Sequence, residues 1–80
     1  MILDIITPEK TLFSSDNATS VVCPGIDGSF QIMNNHSALI SALKKGTIIV
    51  SNGTDSDLKF EISSGLFECN KNRVNILVEE

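Results

Sequence analysis

The sequence predicts an all-β domain on three observations: short segments rich in Ile, Val, Phe and Thr, turn formers spaced between them, and period-two alternation within several of them. Branching at Cβ restricts χ1 in a helix but suits a pleated, half-buried surface. Turn formers fall at Thr7-Pro8, Ser14 to Asn17, Pro24-Gly25, Asp27-Gly28, Asn34-Asn35, Gly46, Ser51 to Asp57, Ser63 to Gly65 and Asn70 to Asn72. The segments between them are mostly about four to eight residues long, the length of ordinary strands.

Taken in order, Val21-Val22-Cys23 and Ile48-Ile49-Val50 carry apolar side chains on both faces. That is the pattern of a sheet covered by another sheet or by a partner subunit. Between them, Ser37 to Leu43 has the one helical spacing, with Leu39, Ala42 and Leu43 able to share a face. A stretch this short predicts at most a short helical turn, or else a bent strand, ended by Lys44-Lys45-Gly46. Asn52-Gly53 reads as a hairpin tip inside a polar loop running to Asp57. Further on, Lys59, Glu61 and Ser63 alternate with Phe60 and Ile62, and Val74, Ile76 and Val78 alternate with Arg73, Asn75 and Leu77. Each of these strands should bury one face, while Leu77 adds an apolar side chain to the other. Phe13, Phe30 and Phe60 are read as core.

The 80 residues suffice for one core, and a chain this small buries a modest fraction of its surface, so an assembly role fits its size. Ten acidic against six basic residues give a net charge of -4 with no basic run, which argues against nucleic acid as a partner. No apolar stretch approaches the ~20 residues of a membrane helix, and no basic segment leads into the first one, so a soluble, unexported chain is expected. In a reducing compartment Cys23 and Cys69 are then expected to be small core or half-buried strand residues rather than a disulfide. Asn17-Ala18-Thr19, Asn35-His36-Ser37 and Asn52-Gly53-Thr54 match the glycosylation triplet but read as turn chemistry.

Few constellations could carry chemistry. Two cysteines and one histidine, His36, allow a small thiol enzyme, but Cys23 lies in an apolar strand, where burial raises a thiol pKa instead of activating it. There is no Cys-x-x-Cys, no histidine pair and no calcium-type carboxylate loop, so neither a metal nor another cofactor is expected. Gly25 and Gly28 do not open a helix after a strand and therefore read as turn glycines, not a phosphate cradle.

The run from Pro24 to Ile40, with Pro24-Gly25-Ile26-Asp27-Gly28-Ser29-Phe30-Gln31-Ile32 leading into Asn35-His36-Ser37-Ala38-Leu39, resembles the epsilon subunit of F-type ATP synthase. That family has a Pro-Gly-x-x-Gly-x-Phe/Leu-x-Ile stretch, then a Gly/Asn-His-Ala/Ser-x-Leu turn, then Leu-Lys-x-Gly. Leu3 to Lys10 with Leu12-Phe13-Ser14 is similar to its opening strand and turn. Ser64 to Glu68 with Asn72 to Leu77 is similar to its closing strands, so nearly the whole chain is covered.

The resemblance implies a flattened β-sandwich of about ten short strands in two sheets. It implies a non-catalytic rotor subunit of the central stalk, at the cytoplasmic face of the membrane and held there only through the complex. Such a subunit clamps the gamma subunit to the polar loops of the c-ring and helps proton flow drive ATP synthesis. His36 matches the family histidine implicated in ring contact, and Ser29 matches a position that is acidic in some relatives. Asp27, Asn34 and Asn35 add polar groups beside them. Thr7 matches a position near the gamma interface, and the double-faced segments add Ile48, Val50 and Leu66 as candidate gamma contacts. Longer members continue into a two-helix C-terminal domain that can inhibit ATP hydrolysis. Here a single domain over residues 1–80 is expected, without that domain and without helix-mediated inhibition. The competing expectation is a free-standing module that binds a peptide by strand addition at an open sheet edge.

Overall fold

The computed structural model describes residues 1–53 and 56–80. Nine strands follow one another: β1 (Ile2–Ile6), β2 (Thr11–Ser15), β3 (Ser20–Gly25), β4 (Gly28–Met33), β5 (Leu39–Leu43), β6 (Gly46–Ser51), β7 (Leu58–Ile62), β8 (Ser64–Asn70) and β9 (Arg73–Glu79). No described residue is helical. The all-β expectation therefore holds, with nine strands among the described residues.

The strand order is β2-β1-β9-β8-β5-β3-β6-β7, with β4 attached to β3. All ladders are antiparallel except β1 with β9. Five strands, β2-β1-β9-β8-β5, form one block and β4-β3-β6-β7 another. The pair Gly25–Leu43 links them, flanked by bonds from the Ile26 amide to the Ala42 carbonyl (3.0 Å) and from the Lys44 amide to the Pro24 carbonyl (2.9 Å). Hydrogen bonding thus runs through one sheet that narrows at this corner and curls over its own core.

Period-two burial explains why these segments are strands. In β9, Val74, Ile76 and Val78 are buried while Arg73, Leu77 and Glu79 are exposed. The core gathers Leu3 and Ile5 from β1, Val21 and Cys23 from β3, Ile48 and Val50 from β6, Phe67 from β8 and Val74 and Ile76 from β9, among others. Removing one such side chain from water stabilises the fold by about 1.5–3 kcal/mol. Phe13, Phe30 and Phe60 are half-buried and pack against this cluster, Phe30 edge-on to Phe67 at 5.1 Å.

The segment with helical spacing is a strand. Leu39 to Leu43 pairs residue by residue with Cys69 to Gly65, and Leu43 turns into the core. A helix this short lacks the bonds to offset nucleation, whereas β8 offers a complete ladder. The expected hairpin tip follows Ser51, and Gly53 does adopt φ 83°, but Thr54 and Asp55 lie outside the described residues. The extents of 26 × 23 × 21 Å are closer to equal than a flattened outline implies, because the curl brings β2 round to β7.

Candidate functional site

Two exposed surfaces flank the core. The first follows β4, which among the described residues pairs with β3 alone and so presents an open edge. Phe30 and Ile32 turn inward, which puts Ser29, Gln31 and Met33 outward on the alternate positions. Asp27 precedes this row in the β3–β4 turn, and Asn34, Asn35 and His36 follow it in the β4–β5 loop; all are exposed. The five polar candidates are therefore not one cluster. Asp27 and Ser29 stand at one end of β4 and the Asn34–His36 loop at the other, about 17 Å away at ~3.3 Å per residue. Gln31 and Met33, the latter 60% exposed, join them into a strip. Alternation along the strand was the signal for these two residues, and the motif resemblance passed over them.

Glycine makes the turn at the near end for two reasons. Gly28 takes φ 131°, a conformation L side chains rarely adopt. At Gly25 the obstacle is space, since a Cβ there would lie 2.5 Å from the Gly28 carbonyl oxygen and 2.9 Å from the Phe30 ring.

The loop at the far end is tied down from three directions. Asn35, at φ 63°, donates its amide to the Asn72 side-chain oxygen at 2.8 Å. Asn34 Oδ1 accepts a bond from the Met1 nitrogen at 2.6 Å, and that nitrogen also reaches the Ala18 carbonyl. The Cys69 thiol lies 4.0 Å from the His36 carbonyl oxygen. His36 itself points to solvent with Nδ1 2.7 Å from the Ser37 carbonyl oxygen. A carbonyl can only accept, so Nδ1 carries the proton and Nε2 is the ring nitrogen offered outward. Asn72, Met1 and Cys69 are distant in sequence from the loop, and no local pattern pointed to them.

The second surface is the outer face of the β5-β8-β9-β1 block. Register puts Ala42, Leu66, Leu77 and Ile6 in one row across the strands, and Ile40, Glu68, Asn75 and Asp4 in the next. Leu66 is 47% exposed, Leu77 46% and Ile40 69%, so an apolar patch faces solvent on a sheet whose other side is core. Leu66 is the one expected gamma contact that lies here. Ile48 and Val50 do not fit that role, being 0% and 1% exposed, because the alternate positions of β6 face inward. Thr7 is also buried, and its hydroxyl is used at home: it accepts from the Glu9 and Lys10 amides and donates to the Lys10 carbonyl. It closes the β1–β2 turn.

The cysteines offer no reactive thiol. Cys23 and Cys69 are free and buried, and burial pushes both thiols up, Cys23 to about 12. Among the described residues no three His, Cys, Asp or Glu side chains gather in a way that could hold a metal ion.

A protein-family model described as "ATP synthase, Delta/Epsilon chain, beta-sandwich domain" matches residues 1–80. Among similar curated proteins, the ATP synthase epsilon chains of Chlorobium limicola and Chlorobaculum tepidum are 45% and 41% identical over 78 residues, covering 98% of this chain and 88% of each relative. The epsilon chain of Desulforamulus reducens is 40% identical over 77 residues but only 57% of its length is matched. Among solved structures, a chain of the Tetrahymena thermophila mitochondrial ATP synthase central stalk and c-ring superposes with a TM-score of 0.86 at 19% identity. A chain of the Euglena gracilis mitochondrial ATP synthase does so with 0.93 at 17%. Both superpositions cover all of this chain, and 63% and 51% of the respective partners, and at these identities they speak to the fold.

Proposed function

The chain belongs to the ATP synthase delta/epsilon β-sandwich family, and from that membership we propose that it is a non-catalytic rotor subunit clamping gamma to the c-ring. The observation that carries the proposal is the presence of two separate exposed surfaces on one closely packed core. A clamp needs two faces and a stiff body between them, and a dense β core with low compressibility supplies the stiffness.

In this reading the β4 strip rests on the polar c-ring loops at the cytoplasmic face of the membrane. Asp27, Ser29, Gln31, Asn34, Asn35 and the Nε2 of His36 provide hydrogen-bonding groups there, with the exposed Met33 among them. Ser29 supplies a neutral bond where some relatives have an acid, of roughly half the strength of a charge-assisted one. The Leu66–Leu77 face receives gamma, by burial of an apolar patch of the kind that marks interaction surfaces. Proton flow turns the ring, the core passes the torque to gamma, and no bond is made or broken on this chain.

The test is a pull-down from solubilised membranes with the chain as bait. Recovery of gamma and c subunits together supports the clamp. Capture of an extended peptide without either would instead favour strand addition at the open edge of β4.

A further inference from the structure

Beside the apolar row, the same outer face holds a cleft of about 270 Å³ lined by Glu68, Asn70, Lys71, Arg73 and Asn75. The β8–β9 register makes its walls: Glu68 opposite Asn75, and Asn70 opposite Arg73, on the side of the sheet that carries Leu66 opposite Leu77. Lys71 and Asn72 form the connecting two-residue turn at φ 52° and 60°, a tight turn that carries the Lys71 side chain at the cleft's end. In a chain of net charge -4, this cleft concentrates two of the six basic residues, including the single arginine, together with two side-chain amides.

We infer that this cleft receives an acidic side chain of gamma, next to the apolar contact made by Leu66 and Leu77. The inference rests on the reading of that face as the gamma surface. Arginine presents a planar fork that matches a carboxylate with two parallel bonds, and the amides of Asn70 and Asn75 can donate to the same group. Glu68 on the facing wall leaves the cleft with a net charge of only about +1. A free small anion gains little from so weak a field. A carboxylate already held in place by neighbouring apolar burial loses little further freedom on entering, so the cleft selects a tethered acid. Its contribution is to register and orientation as well as to affinity.

The test titrates the full chain into purified gamma by calorimetry at low and high salt. Arg73→Gln combined with Lys71→Asn removes both charges, and asparagine tolerates the positive φ at position 71. The double variant should bind about tenfold more weakly at low salt and lose most of the salt dependence of the wild type. Leu66→Ser with Leu77→Ser serves as the control for the face, and circular dichroism verifies the fold of each variant. If the serine variant loses gamma while the charge variant keeps wild-type affinity and salt dependence, the acidic contact is overturned and the gamma face stands. If neither variant changes binding, the reading of the face falls with it. Equal binding of free glutamate and of gamma's acidic group, shown by competition at millimolar concentration, would also overturn the tethered contact.

Discussion

The rings of Phe13 and Phe60 meet at 5.6 Å between centroids, inclined by 51°, although their strands β2 and β7 are the two ends of the strand order. No ladder joins those strands among the described residues, so a side-chain contact closes the curl where hydrogen bonds do not. This contact adds to the shared core and the Gly25–Leu43 corner that already join the two blocks.

That closure has a measurable coupling. Phe13→Leu, Phe60→Leu and the double variant should show an interaction energy of about 0.5–1.5 kcal/mol in urea unfolding, the range for an aromatic pair. Strict additivity of the two single losses would mean that the ends of the sheet are held by other means.

The corner between the blocks depends on the missing side chain of Gly25. Gly25→Ala should lower stability by about 1–3 kcal/mol, because the added methyl meets the Gly28 carbonyl and the Phe30 ring. Unfolding free energies within error of wild type would show that the corner yields more easily than its backbone contacts imply.

Burial raises the Cys23 thiol from 9.0 to about 12 in the folded chain, so folding favours the protonated form. Its contribution to stability is complete below about pH 9 and is lost as pH rises through the interval from 9 to 12. The denaturation midpoint should fall across that window, and fall less steeply in Cys23→Ala. At neutral pH both native thiols should react with a thiol reagent far more slowly than in the urea-unfolded chain. Rapid native labelling would reopen the thiol-enzyme reading.

The loop of His36 is held from outside its own sequence. Asn72→Gly keeps the positive φ that position 72 requires and deletes the acceptor for the Asn35 amide. Hydrogen exchange at Asn35 should accelerate severalfold, with global stability lowered by about 1 kcal/mol or less. Unchanged exchange at Asn35 would mean that Met1 and Cys69 hold the loop without Asn72.

How much of this was legible in the sequence follows from the range of the forces involved. Alternation revealed β7 and β9 because strand period is local, and Pro24-Gly25 with Asp27-Gly28 announced a turn because their backbone preferences are local too. The strand at Leu39–Leu43 was obscured, since its state is decided by pairing with β8, whose closest register partner, Gly65 opposite Leu43, lies 22 residues further along the chain. The same limit explains the gamma candidates. Ile48 and Val50 sit in an apolar run with Ile49, and only the inter-strand register tells which of the three face the core. Leu77, an apolar residue at an outward position of an alternating strand, was the better clue to an uncovered face. The anchoring of the loop before His36, by Asn72 at Asn35 and by Met1 at Asn34, depends wholly on tertiary contact and left no mark in the local pattern.

The central claim is that one stiff body holds two partners through separate surfaces. Its most direct measurement is retention of the chain on a rotor reconstituted from gamma and the c-ring, compared among wild type, Ser29→Ala with His36→Ala, Leu66→Ser with Leu77→Ser, and all four changes together. Each pair should weaken retention, the first through the ring and the second through gamma, with losses that add in free energy because the two pairs of residues lie on different elements and share no partner among the described residues. Wild-type retention of the fourfold variant would contradict the claim.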